Sequence, residues 1–298
     1  MASEQFVAYQ EKMASNPVPP PPKDIQELRA RIDGAMGQLP LAHGTSAVAV
    51  DANGAAAFLE MRDGGDTDPL VIYFHGGGYR IASALSYRAY CSHFADRAGV
   101  RVLNVDYRLA PENPFPAAID DAVNAYRWAL DNGTPASRIV IAGDSAGGGL
   151  TAAALVAIRD RGLPTPAGGI CLSPWADLTN SSETYTSRAS VDKMFSLASA
   201  TDAANLYLQG QDARSPLASP VFADLSGLPP LLILVGDAEV LLADSHTLAE
   251  RASAAGVANE VFVYPEMPHV WMLNYPAYPE AAMAFDQMAA FVARVTRV

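Results

Sequence analysis

Residues 138–150 read Arg-Ile-Val-Ile-Ala-Gly-Asp-Ser-Ala-Gly-Gly-Gly-Leu, and this stretch decides the fold. The β-branched run Ile139, Val140, Ile141 has the character of a buried strand. Gly143-Asp144-Ser145-Ala146-Gly147 makes a Gly-x-Ser-x-Gly turn, and residues 150–158, rich in Ala and Leu, are helix-forming. A strand that turns abruptly into a helix holds its corner residue in a strained conformation with the side chain exposed. The flanking positions are glycine because a Cβ at either would collide across the turn. Ser145 then sits at a helix N-terminus, where the N–H of Ala146 can help stabilise an oxyanion.

Outward from this stretch the strand–turn–helix rhythm repeats. Pro-Leu-Val-Ile-Tyr-Phe at 69–74 reads as a buried strand and ends in His75-Gly76-Gly77-Gly78-Tyr79. Glycines weaken strands, so three in a row serve another purpose: backbone N–H groups can approach a ligand closely. A phosphate loop is the rival reading, but neither a Lys-Ser/Thr pair nor a Gly-x-Gly-x-x-Gly opens a helix here. Helices are expected over about 87–98, 117–131, 244–255 and 278–295, and strands over 101–105, 168–172, 231–235 and 260–264. Alternation over 47–61, broken by Asp51-Ala52-Asn53-Gly54, predicts a hairpin. Strands separated by helices imply an α/β fold with a mostly parallel central sheet covered on both faces.

Two segments break the rhythm. Residues 17–22 contain five prolines and must be extended or turn-like, and Asp24 is a plausible cap for a short helix that follows. Residues 178–220 are polar with scattered apolar positions, among them Tyr185, Met194, Phe195, Leu206 and Tyr207. An insertion of this size between two strands is expected to be a lid or cap rather than a bare loop. The expected organisation is an N-terminal cap segment (1–40), a catalytic domain (41–177 and 221–298) and a cap insertion (178–220).

The 298 residues are 50% hydrophobic, which suits one globular α/β unit with a large core. A net charge of −12 and no basic cluster argue against nucleic acid or an anionic membrane as partner. Cys91 and Cys171 lack metal-type spacing and are too few for a disulfide framework. They read as reduced, buried thiols of a cytoplasmic protein, and residues 1–10 carry no apolar signal-peptide core. No apolar run is long enough to span a bilayer.

A serine hydroxyl needs a base to take its proton and an acid to orient that base. On a sheet of this type the order is Ser, acid, His, each at the C-terminal end of a strand. Of the five histidines only His269 follows the last strand in a loop; His43, His93 and His246 lie in leader or helix positions, and His75 opens the glycine turn. The loop after 231–235 offers Asp237 and Glu239 as acid, with Asp244 farther on, and position alone leaves the first two open.

Taken together, His75-Gly76-Gly77-Gly78, Asp106-Tyr107-Arg108-Leu109-Ala110-Pro111-Glu112, Gly143-Asp144-Ser145-Ala146-Gly147-Gly148 and Ser173-Pro174-Trp175 resemble the bacterial hormone-sensitive-lipase-like esterases, α/β-hydrolases with a helical cap. The resemblance extends from about residue 70 to the C-terminus. It implies hydrolysis of short-chain carboxylic esters without metal or organic cofactor, a homodimer, and an oxyanion hole of the Gly77, Gly78 and Ala146 N–H groups. That family's acid lies in an Asp-Pro-Leu-x-Asp pattern with Ala-Gly about seventeen residues on. Counting back from Ala255-Gly256 lays Glu239-Val240-Leu241 over Asp-Pro-Leu. The resemblance therefore points to a Ser145–His269–Glu239 triad, with Glu where Asp is usual. A hydrolase of another acyl class (lactone, amide or carbamate) and a non-catalytic ligand-binding relative are the alternatives; the presence of His269 counts against the second.

Overall fold

The computed structural model describes residues 2–17 and 19–296. Met1 and Val18 of the leader, and Arg297 and Val298 at the end of the expected catalytic domain, lie outside the described residues.

The polar leader contains a helix that its sequence did not suggest, α1 (Glu4–Ala14), capped by Ser3, whose side chain accepts the N–H of Phe6. Phe6 is its single buried residue and packs edge-on against Tyr278 at 5.2 Å. Tyr9, one turn on, is partly buried against the same Tyr278 at 5.3 Å, and this tertiary packing holds the helix in place. The next helix, α2 (Ile25–Met36), starts at the expected cap: Asp24 accepts the N–H of Glu27.

A hairpin, β1 (Thr45–Ala52) and β2 (Ala55–Arg62), leads into the repeating units. These are β3 (Leu70–Phe74), α3 (Ala84–Ala98), β4 (Arg101–Asp106), α4 (Ala117–Asp131), β5 (Ile139–Asp144), α5 (Ala146–Asp160) and β6 (Gly168–Leu172). The insertion carries α6 (Thr184–Ser187) and α7 (Leu197–Leu208); then follow β7 (Leu231–Gly236), α8 (Leu242–Ala254), β8 (Asn259–Tyr264) and α9 (Pro279–Val295). Two helix starts fall earlier than the apolar pattern indicates. Helix α5 begins at Ala146 directly after the turn, because its glycines are buried against neighbouring backbone. Helix α3 begins at Ala84, where Ser83 and Ser86 form a reciprocal capping box.

The eight strands form one sheet in the order β1-β2-β4-β3-β5-β6-β7-β8. The β1–β2 and β2–β4 pairs are antiparallel and all the others parallel. Both faces are covered, so β5 and β7 are buried along their whole length. Successive residues of β5 feed opposite cores: Ile139 and Ile141 join Leu155 and Leu248, whereas Val140 and Ala142 join Phe94 and Phe285. Each such side chain contributes about 1.5–3 kcal/mol by leaving water. Parallel pairing brings the C-terminal ends of β3, β5, β6, β7 and β8 to one edge, where a site can assemble.

Segments α2 and α7 both fasten to the loop after β3. Arg29 donates to the carbonyl oxygens of Arg80 (2.8 Å) and Ala110 (2.7 Å) and pairs with Glu112. From α7, Asp202 pairs with Arg80, and Tyr207 stacks face to face on Tyr79 at 3.9 Å.

Candidate active site

Ser145 occupies the corner between β5 and α5 with φ 55° and ψ −121°, a strained conformation for a residue with a Cβ. The surroundings hold it there. Its N–H donates to the Leu172 carbonyl (2.8 Å), and its own carbonyl accepts from Trp175 (2.9 Å) and Gly149 (3.0 Å). A Cβ on Gly147 would collide with the carbonyl oxygen of Phe74, and one on Gly143 with that of Gly147. Both glycines are therefore needed for close backbone approach.

The Ser145 Oγ lies 2.9 Å from Nε2 of His269, and Nδ1 of His269 lies 2.6 Å from Oε2 of Glu239. His269 is on the loop after β8 and Glu239 on the loop after β7, so three strand ends meet here. The other oxygen of Glu239 accepts the N–H of Gly236 (2.6 Å) and the hydroxyl of Ser173 (2.8 Å). Asp237 faces elsewhere and accepts the N–H of Glu266 at 2.7 Å. Burial pulls the His269 imidazole toward its neutral form. The Glu239 carboxylate and its hydrogen bond, helped by Asp192 and Asp144, outweigh this and raise its pKa above 6.5.

The loop after β3 is fixed against this corner through Asp144. Its carboxylate accepts the hydroxyls of Tyr73 and Tyr87 (2.9 Å each) and the N–H of Gly76 (3.1 Å). Burial pushes Asp144 up to about 6, with the two tyrosine hydroxyls opposing the rise. Gly77 has φ +108°, and a Cβ there would collide with the Ile81 carbonyl oxygen, so only glycine fits. Its carbonyl accepts from Arg80 and Ile81, while the N–H groups of Gly77 and Gly78 have no acceptor among the described residues. Ala146, first in α5, likewise has an N–H without an intrahelical partner. Ser145, His269, Gly77 and Gly78 line one cavity.

An alpha/beta hydrolase fold family model matches residues 71–273. The chain is 46% identical over 226 residues to an acetyl-hydrolase of Streptomyces hygroscopicus, covering 76% of each protein. It is 34% identical over 233 residues to an esterase of Acinetobacter venetianus, covering 78% of this chain and 77% of that one. The crystal structure of an esterase from the bacterial hormone-sensitive lipase family superimposes with TM-score 0.92 at 41% identity over the whole of both chains. The chain belongs to the hormone-sensitive-lipase-like α/β-hydrolase family.

In this hydrolase the cavity measures about 400 Å³ and is mostly apolar. Ile32 and Met36 of α2, Met194, Phe195 and Ala203 of the insertion, and Leu273 after β8 close it around Ser145. Phe195 lies parallel to the His269 ring at 5.8 Å; Tyr185 instead is buried away from the cavity, with its hydroxyl on Asn180. Of the remaining histidines, His75 is buried in a stack on Tyr107 at 4.3 Å, His93 is half-buried against Tyr275, and His43 and His246 are exposed. Among the described residues, no group of His, Cys, Asp or Glu is arranged to hold a metal, and no helix is long and apolar enough to cross a membrane.

Sequence reasoning quoted Ser173 only within the Ser173-Pro174-Trp175 motif and gave its side chain no role; it directly follows β6, with φ 44°. Its hydroxyl donates to Glu239 and accepts the N–H of Val270 (3.2 Å), joining Glu239 to the residue after His269. The available signals were its place after a strand and in the Ser173-Pro174-Trp175 motif, neither of which shows what its hydroxyl meets.

Proposed function

We propose that this chain is a serine carboxylesterase that hydrolyses short-chain acyl esters through Ser145, His269 and Glu239. Ester hydrolysis follows from its family; the triad and the acyl preference are the finer reading. One observation carries it: the unbroken contact Glu239–His269–Ser145, at 2.6 and 2.9 Å, opens onto an apolar cavity beside free N–H donors.

In this reading Ser145 Oγ attacks the ester carbonyl carbon while Nε2 of His269 takes its proton. Glu239 orients the ring and stabilises the imidazolium, in keeping with the raised pKa of His269. The oxygen that gains charge is met by the N–H groups of Gly77, Gly78 and Ala146, each worth about 2.7–4 kcal/mol of barrier. Collapse expels the alcohol with the proton from His269 and leaves an acyl group on Ser145. Water, activated by the same histidine, then releases the acid. Segments 1–40 and 178–220 act as the cap over a catalytic domain of 41–177 and 221–298. The cavity volume of about 400 Å³ supports small acyl groups.

The test is a series of nitrophenyl esters of increasing acyl length. The expected result is the highest kcat/KM on the shortest chains, and a better kcat/KM on long chains overturns the acyl assignment. Matched ester and amide pairs separate the esterase from an amide hydrolase, because the triad sets the reaction type and the pocket the substrate. Two buried, free cysteines support a cytoplasmic protein. An open edge at β8, with Phe262 and Val263 partly exposed, supports a homodimer, which sedimentation tests.

A further inference from the structure

The insertion does more than cover the cavity, because two of its side chains grip the backbone that carries Glu239. Asp192 lies in the turn between α6 and α7 and is only 7% exposed. One carboxylate oxygen accepts the N–H groups of Met194 and Phe195, both at 2.9 Å. The other accepts the N–H of Val240 at 2.9 Å. Thr184, at the start of α6, donates its hydroxyl to the Val240 carbonyl at 2.6 Å. Both backbone polar groups of the residue after Glu239 are thus held by the insertion. The turn that Asp192 closes also sets Phe195, whose ring lies parallel to the imidazole of His269 and edge-on to Trp175 at 5.6 Å.

We propose that Asp192 is a positioning residue that locks the cap onto the catalytic apparatus, holding the acid's loop through Val240 and the base through Phe195. This rests on the triad assigned above and adds a fixed support for it from a separate segment. The support is possible because of a departure from the family pattern. Where that pattern has proline after the acid, this chain has Val240, and only a residue with an N–H can donate to Asp192. The carboxylate of Asp192 is buried and accepts three N–H donors, so losing it disturbs both ends of the bridge. The charged groups facing His269 are Glu239, Asp192 and Asp144. Removing one negative charge from this set makes the imidazolium easier to deprotonate.

The test compares wild type, Asp192→Asn, Val240→Pro and the double variant on one short nitrophenyl ester, with thermal unfolding followed in parallel. Asp192→Asn is expected to lower kcat by about 10- to 100-fold with KM changed by less than about 3-fold, since a displaced triad loses turnover rather than binding. The acid limb of its kcat/KM profile is expected to move to lower pH. Val240→Pro removes the donor of the same bond while leaving the Asp192 turn intact, so it provides a second route if Asp192→Asn unfolds. The double variant is expected to be no worse than the poorer single one. Wild-type kcat in both singles, a change confined to KM, or fully multiplicative losses would each overturn the proposal. Ser145→Ala measured alongside separates the two levels. If it stays active, the triad fails and the support falls with it; if it is dead while Asp192→Asn keeps wild-type kcat, only the support falls.

Discussion

Replacing Ser173 by Ala tests how the acid is held. In the native protein its hydroxyl supplies one of two donors to Oε1 of Glu239, at 2.8 Å, the other being the Gly236 N–H at 2.6 Å. The same hydroxyl accepts the Val270 N–H at 3.2 Å. Alanine deletes both contacts and leaves a buried N–H without an acceptor, in a site where Ser173 and Glu239 have no solvent exposure. A hydrogen bond to a charged group contributes about 1.5–3 kcal/mol, and an orphaned buried donor costs about 1–3 kcal/mol. These overlap through one atom, so a net loss of roughly 2–4 kcal/mol is expected. At about 2–4 °C per kcal/mol for a chain of this class, the melting temperature should fall by roughly 4–16 °C. With Glu239 free to swing on a single donor, kcat should drop by about 10- to 100-fold while KM stays near its native value. Differential scanning calorimetry and nitrophenyl ester kinetics on the same preparation read both effects. A variant with native melting temperature and native kcat would refute the reasoning, because it would mean that Gly236 alone fixes the carboxylate.

Three further outcomes follow from the same geometry. Ser145→Ala and His269→Ala should each abolish nearly all ester hydrolysis, and the double variant should be little worse than either; multiplying losses would mean the two do not act as a unit. Glu239→Ala should lose several orders of magnitude in kcat while Asp237→Ala, whose carboxylate accepts from Glu266 rather than His269, keeps most activity, and the reverse pattern in steady-state kinetics would reassign the acid. The pH profile should fall on the acid side through two ionisations. His269 must be neutral to take a proton and has a raised pKa, so activity is lost as pH falls from above 6.5, and Asp144, pushed up to about 6, then protonates and weakens its hold on Gly76. Because its folded pKa is raised, the stability linked to Asp144 ionisation is greatest below about 4 and is lost as pH rises through 6, and Asp144→Asn should show a single acid-side ionisation. An acid limb that keeps two ionisations in that variant counts against the assignment.

Much of the molecule follows from local pattern. The Gly-x-Ser-x-Gly corner needs glycine where backbone passes backbone, and the collisions of a Cβ at Gly143 and Gly147 are steric facts that any sequence must obey. The strands β3 to β7 are short runs buried for most of their length, and their order with intervening helices leaves few topologies, so the sheet and the strand-end positions of Ser145 and His269 could be read directly. Helix α1 could not, because it is held by Phe6 and Tyr9 meeting Tyr278, about 270 residues away along the chain. The acid shows the same limit. Asp237 and Glu239 are two residues apart, each able to accept a hydrogen bond, and only the path of the loop after β7 turns one toward His269 and the other toward Glu266. Ser173 and Asp192 are ordinary polar residues in the chain. They matter because parallel pairing places the end of β6 beside that of β7, and because the insertion folds back onto Val240. Sequence pattern determines which elements form, since that depends on neighbours along the chain; which polar groups meet at the site depends on packing between distant elements, and only the tertiary structure decides it.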